Sequence, residues 1–526
     1  MARLTLRRGA KITVPLAATA LLLAGCASGS QASEGGYSTD TINSLLNTDP
    51  STFDPAKAHA ADDYTVSRVL YDSLTRRDDD NKLAPGLAES WQTKSATDYV
   101  FTIRSGAKCG DDTPITPSVV AGSLTYFANS NSTFKALVFG PSTPTVTADD
   151  AAGTVEIRLE KPWSEVPTGL SLAQTGIICP AGIADPAGLD KGTVPGAFSG
   201  PYQLVAHTPG VTYKFTLRDG YSTWPKFATP LTGTPAKTLN FGITKDSTTT
   251  ANQLQSGDLD IANVPDSNVT RFDNQKYQLA KVDLAGAYII FNERSTSPFS
   301  DAKGGQALRT AVAEALDRKA FDQALNDGRG DLYTTIASNK FACTLQDESL
   351  LKPQDKTAAS SVLAGVTIRL AGTTIMGPKG AANVYVQQAL TEAGANVQLM
   401  NEDNATWASR TQKQVDTWDM TVMGDINATG TMAASLTRVM STAIEKGGRN
   451  FGGADNPAGV AALNTALEAT TDDSKCAAYK ESQKTVLERV DVVPLAGILN
   501  NYVQRQGFSV RAFSGYLDPA SMRIVG

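Results

Sequence analysis

Few residues in this chain have the types needed for covalent or metal chemistry: five cysteines (Cys26, Cys109, Cys179, Cys343, Cys476) and two histidines (His59, His207). Two histidines nearly exclude a multi-histidine metal site, and they leave no redundancy for a histidine-based triad. No cysteine pair has CxxC spacing, which argues against a metal or dithiol redox motif. The GxSxG, HExxH, GxxxxGK[ST] and GxGxxG patterns are absent. Carboxylates are abundant, but nothing places two of them at the defined separation a glycosidase pair needs, so an extracytoplasmic hydrolase is the remote reading. The run Arg76-Arg77-Asp78-Asp79-Asp80-Asn81 lacks the EF-hand pattern and reads as a solvated turn. Arg329-Gly330-Asp331 reads as a polar loop.

Cys26 ends an apolar run. Arg3, Arg7, Arg8 and Lys11 precede it with no acid among them, and Ile12 to Gly25 is mostly apolar. A bilayer-spanning helix needs about 20 residues, so this shorter run reads as a secretory signal and not as a transmembrane helix. Arg7-Arg8 is only weak support for a twin-arginine signal. Leu23-Ala24-Gly25-Cys26 resembles the lipobox of bacterial lipoproteins. That resemblance implies removal of residues 1–25, a diacylglyceryl group on the Cys26 thiol and an extracytoplasmic protein anchored at the outer face of the bacterial cell membrane. Further acylation would make anchoring stable, because one chain holds only marginally. Residues 26–36 then form the lipidated cysteine and a Gly/Ser-rich tether.

Setting the four basic residues of the signal aside takes the net charge from −6 to −10. That balance argues against nucleic acid and against a polybasic grip on anionic lipid. The roughly 490 residues beyond the tether predict more than one core. The four other cysteines are even in number, which outside the cytoplasm favours disulfides, with three pairings open.

These residues need elements to position them. Tyr99, Phe101 and Ile103, then Val155, Ile157 and Leu159, then Tyr213, Phe215 and Leu217 alternate with polar residues, predicting half-buried strands. The second half changes character. Leu308, Ala311, Val312, Ala315, Leu316, Ala320 and Ala324 form one helical stripe over 305–325. Strands are expected at 366–371, 397–400 and 418–423, with helices over 381–393 (closed by Gly394) and 403–415. This alternation predicts a parallel sheet. A last helix begins at Ser474, with Cys476, Tyr479, Gln483, Val486, Leu487 and Val490 on one face. Ligands of open parallel sheets bind beyond the carboxyl ends of strands, which draws attention to the loop Gly424-Asp425-Ile426-Asn427-Ala428.

The order of several segments resembles the peptide/nickel class of extracytoplasmic solute-binding proteins, the dipeptide and oligopeptide receptors of ABC importers. The segments are Thr52-Phe53-Asp54-Pro55, LAPGLAESW (83–91), YVFTIRSGAKCGDDTPIT (99–116), SGPYQL (199–204), RDGY (218–221), YIIFNERSTSPFSD (288–301), QALRTAVAEALDRKAF (306–321) and CAAYKESQKTVLERVDVVPL (476–495). The resemblance implies an α/β, two-lobed periplasmic-binding-protein-like fold with a hinge and an interlobe ligand cleft. Residues 37–285 plus 496–526 would form lobe I and 286–495 lobe II. That split would pair Cys109 with Cys179 and Cys343 with Cys476. It also implies a monomer without a cofactor or metal, no enzyme activity, and membrane permease subunits as partners.

In peptide-binding members a carboxylate after a Gly-Trp pair takes the ligand's α-amino group. Here Gly-Trp becomes Gly424-Asp425 and the usual acid falls on Ala428, so Asp425 is the candidate substitute. The resemblance also points to His59, Ala60 and Ala61 in a first-lobe loop, Trp407 and Arg410 on a second-lobe segment, Asn427, and Asn500 with Tyr502 at the hinge. The family aromatic after the closing proline falls on Ile498. The implied cargo is a peptide or peptide-like solute; the alternative is a non-peptide solute such as an oligosaccharide, siderophore or metal chelate.

Overall fold

The computed structural model describes residues 40–513 and 516–525. The signal, Cys26 and the tether lie outside the described residues. The described residues form one compact unit within Thr39–Gly526. Among the described residues, no helix is long and apolar enough to cross a membrane.

The alternating runs form strands as their periodicity predicts. In Asp98–Ile103 every second residue is buried, and the strand sits in the sheet Ala88–Ser95, Asp98–Ile103, Thr154–Arg158, Thr145–Asp149. Thr212–Leu217 lies in a second four-stranded sheet, between Thr238–Ile243 and Tyr202–Thr208, with Thr41–Leu46 at the edge. The two disulfides are Cys109–Cys179 (Cα–Cα 6.0 Å) and Cys343–Cys476 (Cα–Cα 4.5 Å), one of the three pairings open to the sequence.

The second half is built on a six-stranded sheet. Its order is Ile261–Asn263, Val492–Arg505, Tyr277–Phe291, Met420–Asp425, Thr367–Thr373, Asn396–Glu402. The last three strands are parallel, as the β-α-β-α-β alternation requires. The sheet as a whole is mixed, because Tyr277–Phe291 runs antiparallel to both of its neighbours. Strand alternation at 366–423 carries no information about these two long strands, which arrive from elsewhere in the chain. They run between two cores. Val503 packs with Ala251, Leu254 and Val264. Ile289, Phe291 and Leu495 pack with Val422, Leu370 and Val386.

The stripe over 305–325 is two helices, Gly305–Ala315 and Arg318–Asn326. Leu316 is extended, and the Asp317 carboxylate accepts from the amides of Lys319 and Ala320, starting the second helix as an aspartate N-cap does. Helix Ala381–Glu392 is followed by Gly394 at φ +91°, a left-handed position that suits glycine. The final helix starts at Asp472, two residues before Ser474, capped by Thr471. On the side of this helix, regions distant in sequence meet. The Tyr479 hydroxyl donates to Glu165 Oε1 (2.8 Å), and Ser164 bonds the carbonyls of Leu467 and Ala466.

Candidate functional site

A cavity of about 860 Å³ lies where two sets of elements face each other. That volume is in the range of ordinary small-molecule sites.

The first wall is held by buried carboxylates. Helix Ala61–Leu70 presents Asp62, Tyr64 and Thr65 to the cavity. Asp63, one residue along, accepts from the amides of His59 and Ala60 (both 3.1 Å) and so fixes the turn before the helix. Asp62 accepts from the Asn47 and Thr48 amides (3.0 and 2.9 Å) and from the Thr48 hydroxyl (2.8 Å). Its charge is thereby committed to the loop it anchors. Tyr64 packs edge-on against both Phe134 and Tyr516, giving an aromatic floor. Burial pushes the Tyr64 phenol up and carries Tyr516 to about 12, so both hydroxyls stay neutral. Beside them, Asn263 Nδ2 donates to Asn500 Oδ1 (2.9 Å), and Asn500 Nδ2 to the Tyr502 hydroxyl (3.4 Å).

The second wall begins where strand Met420–Asp425 ends. Asn427 is buried and organises the following loop: its Nδ2 donates to Thr431 O (2.7 Å) and Ser435 Oγ (2.9 Å), and its Oδ1 accepts from Thr429. Gly430 turns the chain at φ +60°, and Thr431 caps helix Met432–Met440. That helix carries Arg438 to the cavity, and Arg449 follows from the loop beyond it. Arg438 Nε lies 2.7 Å from Asp425 Oδ1, and its Nη2 donates to Ile426 O (3.1 Å). Burial and then the Arg438 charge push the Arg449 guanidinium down to about 10, so it remains a cation at neutral pH.

Of the residues predicted from sequence, His59, Ala61, Asn427, Asn500 and Tyr502 border the cavity. His59 is exposed, and Ala60 is held beside it by Asp63. Gly424 and Asp425 stand behind the loop, with the Asp425 carboxylate buried against Arg438. Two residues belong elsewhere. Trp407 is a core side chain whose Nε1 donates to Thr421 Oγ1 (2.9 Å), and Arg410 is engaged with both oxygens of Glu402 (2.9 and 2.5 Å). Sequence reasoning missed Tyr64, Phe134, Tyr516, Arg438 and Arg449. They come from separate segments with no shared periodicity. Among the described residues, no group of three histidines, cysteines or carboxylates could hold a metal ion.

Residues 82–446 match the bacterial extracellular solute-binding proteins, family 5 middle region. The chain is 24% identical to the periplasmic murein peptide-binding protein MppA of Escherichia coli over 489 residues, covering 85% of this chain and 86% of that protein. It is 28% identical to heme-binding protein A of Haemophilus influenzae, over 67% of this chain and 68% of that one. Among solved structures, a substrate-binding protein from Microbacterium hydrocarbonoxydans, complexed with 4-hydroxybenzoate hydrazide, is 41% identical with a TM-score of 0.76, covering 92% of this chain and all of that one. An aligned α/β architecture, a matching family segment spanning most of the chain and a cavity of small-molecule size agree: this chain belongs to the family 5 bacterial extracellular solute-binding proteins and has their two-lobed fold.

Proposed function

We propose that this protein is the solute-binding lipoprotein of an ABC importer. It captures a small peptide-like or non-peptide solute in the cavity and delivers it to membrane permease subunits. Anchoring is by lipid on Cys26 after removal of residues 1–25. The lobes are 37–285 plus 496–526 and 286–495, with the strands Tyr277–Phe291 and Val492–Arg505 as the hinge. Cargo that contacts both walls favours the closed form by its differential affinity, and closure is the signal the permease reads.

The single observation that carries this reading is the cavity of about 860 Å³ bordered by both walls. Its chemistry narrows the cargo. Among the described residues, Asp62 is the one acid bordering it, and Asp62 is committed to backbone amides, while Asp425 is buried against Arg438. An α-amino group finds no uncommitted carboxylate among these groups. The aromatic floor and the aromatic ligand of the Microbacterium relative favour the non-peptide reading; the likeness to a murein peptide-binding protein favours a peptide-like cargo, and the committed carboxylates favour one without a free α-amine.

The test is to purify the full chain from membranes in mild detergent and identify its cargo by mass spectrometry. A small solute without a free α-amine is the expected result. A ladder of free peptides, released by Asp425→Asn, would return the amine-anchoring role to Asp425. A protein that neither carries nor binds any solute would overturn the import reading.

A further inference from the structure

Among the described residues, the second wall of the cavity holds one arginine whose guanidinium has no acceptor. Among the described residues, every other arginine reaches an acceptor. Arg309, Arg369, Arg410, Arg438, Arg489, Arg505 and others pair with carboxylates. Arg104, Arg218 and Arg523 donate to backbone carbonyls. The Arg449 backbone amide is secured to Ser441 Oγ (3.1 Å), which fixes where the side chain starts. Its guanidinium borders the cavity and has no acceptor within bonding distance among the described residues.

An arginine has five N–H donors in a planar fork and keeps its charge at any ordinary pH. Leaving that fork half-buried without acceptors is unfavourable, because the group has lost water and gained no partner. The nearest carboxylate does not relieve it. Asp425 is buried behind the cavity lining as the ion-pair partner of Arg438, whose Nε lies 2.7 Å from it. Among the described residues two cations therefore stand near one anion that pairs with Arg438 alone, and the excess lies on the cavity side, where Lys245 adds a further positive group. The Asp62 carboxylate cannot swing across, since three hydrogen bonds hold it to Asn47 and Thr48 on the opposite wall. What completes this arrangement is one negative charge supplied from the cavity. A carboxylate fits the requirement best: it is planar, singly charged and matches the guanidinium fork through two parallel bonds.

We infer that Arg449 is the anchor for a carboxylate of the cargo, with the rest of the cargo lying toward Tyr64, Phe134 and Tyr516. This rests on the solute-binding reading above and gives it a chemical class: a monoanionic small molecule with an apolar or aromatic body, such as an N-acylated amino acid, an amine-blocked peptide or an aromatic acid. Asp425 then serves as a positioning residue. It holds Arg438 in place and leaves Arg449 as the unpaired cation.

The experiment uses the full chain in detergent and a panel of aromatic acids, N-acyl amino acids and short peptides, each paired with its neutral primary amide. Thermal shift finds the binders and calorimetry measures them, for the wild type, Arg449→Met and Arg449→Lys. The expected result is at least tenfold tighter binding of acids than of their amides. Arg449→Met should weaken the acids at least tenfold, leave the amides unchanged and so erase the preference; Arg449→Lys should keep part of it. Amides binding as well as their acids, or Arg449→Met weakening both alike, would overturn the anchor while leaving solute binding intact. A panel in which nothing binds would overturn both together.

Discussion

Two arginine clusters in this molecule have opposite imbalances. In the first, Arg309 and Arg489 meet three acids, Glu293, Asp301 and Asp491. Arg309 is fully buried; it pairs with Asp301 (2.8 Å), Glu293 (3.1 Å) and Asp491 (3.7 Å) and donates to the carbonyls of Phe299, Arg489 and Val490. Arg489 closes the set through Asp301 (2.7 Å) and Asp491 (3.1 Å). In the second cluster, Arg438 and Arg449 stand near one acid among the described residues, Asp425, and it is ion-paired with Arg438 and not with Arg449. The first has one acid too many and settles internally: burial, and then the Asp491 charge, hold Glu293 well above the usual carboxylate range, so it keeps a proton. The second has one cation too many, and an arginine does not give up its proton. An excess acid can be neutralised by water's own protons, whereas an excess arginine waits for an anion from outside. The first arrangement serves the fold, and the second serves a ligand.

Removing an arginine from each cluster should separate these roles most sharply. Arg309→Met strips the partner from buried carboxylates and leaves three carbonyls without a donor. Breaking such a network costs about 3–5 kcal/mol, so a large fall in the urea midpoint is expected. Arg449→Met removes a guanidinium that bonds none of the described residues, so the midpoint should move by no more than about 0.5 kcal/mol. Affinity for an acidic cargo should instead fall by about 1.5–3 kcal/mol, the value of a hydrogen bond to a charged group. If both variants lose stability equally, the contrast between the clusters fails.

The proton on Glu293 gives a smaller and pH-dependent effect. A folded-state affinity for protons above the ordinary one means that stability is complete below the ordinary 4.5 and declines as pH climbs toward the raised folded value. Asp491 is raised by burial and adds a decline of the same sign; Asp301 is lowered and works against it. Glu293→Gln mimics the protonated form. Thermal melts at about pH 5 and about pH 8 should differ by less in this variant than in the wild type, by on the order of 1 kcal/mol. An unchanged slope would mean that Glu293 is ionised in the folded protein.

Much of the framework is readable from residue patterns, and the site much less so. Alternation marks Asp98–Ile103 and Thr212–Leu217 because each strand has one face on a core, and the period of two survives whatever else the chain does. The same logic misses the break at Leu316, since the apolar stripe continues across both helices while the Asp317 cap interrupts only the backbone. The cavity draws on positions with no common period. Tyr64, Phe134 and Tyr516 meet as rings only after three distant segments fold together. Arg449 lies in a loop between glycines, and nothing local distinguishes it from a solvated arginine. What makes it notable is that its guanidinium has no acceptor among the described residues, and the acids that engage Arg410 and Arg438, Glu402 and Asp425, lie on other elements. The resemblance to peptide receptors brought His59, Ala61, Asn500 and Tyr502 to the cavity's border, because backbone walls are inherited with the fold; it also pointed to Trp407 and Arg410, whose surroundings in this chain are its own.

Arg410 offers the weakest and most discriminating contrast with the two clusters. It is a balanced pair, one guanidinium on one carboxylate, with both Glu402 oxygens engaged and both side chains partly open to solvent. Its helix, Asn404–Lys413, is started by Asp403 and fastened to the core through Trp407, so the fold does not depend on the pair. Exposed ion pairs contribute about 0.2–1 kcal/mol, and solvent screens them further. Arg410→Met should therefore lower the midpoint by no more than that, and it should leave both the affinity for cargo and the preference for acids over amides unchanged. Calorimetry on this variant beside Arg449→Met decides between the two arginines. A loss of affinity at Arg410 larger than at Arg449 would move the anchor to the helix that the sequence resemblance first indicated, and the imbalance at Arg438 and Arg449 would then have no ligand to explain it.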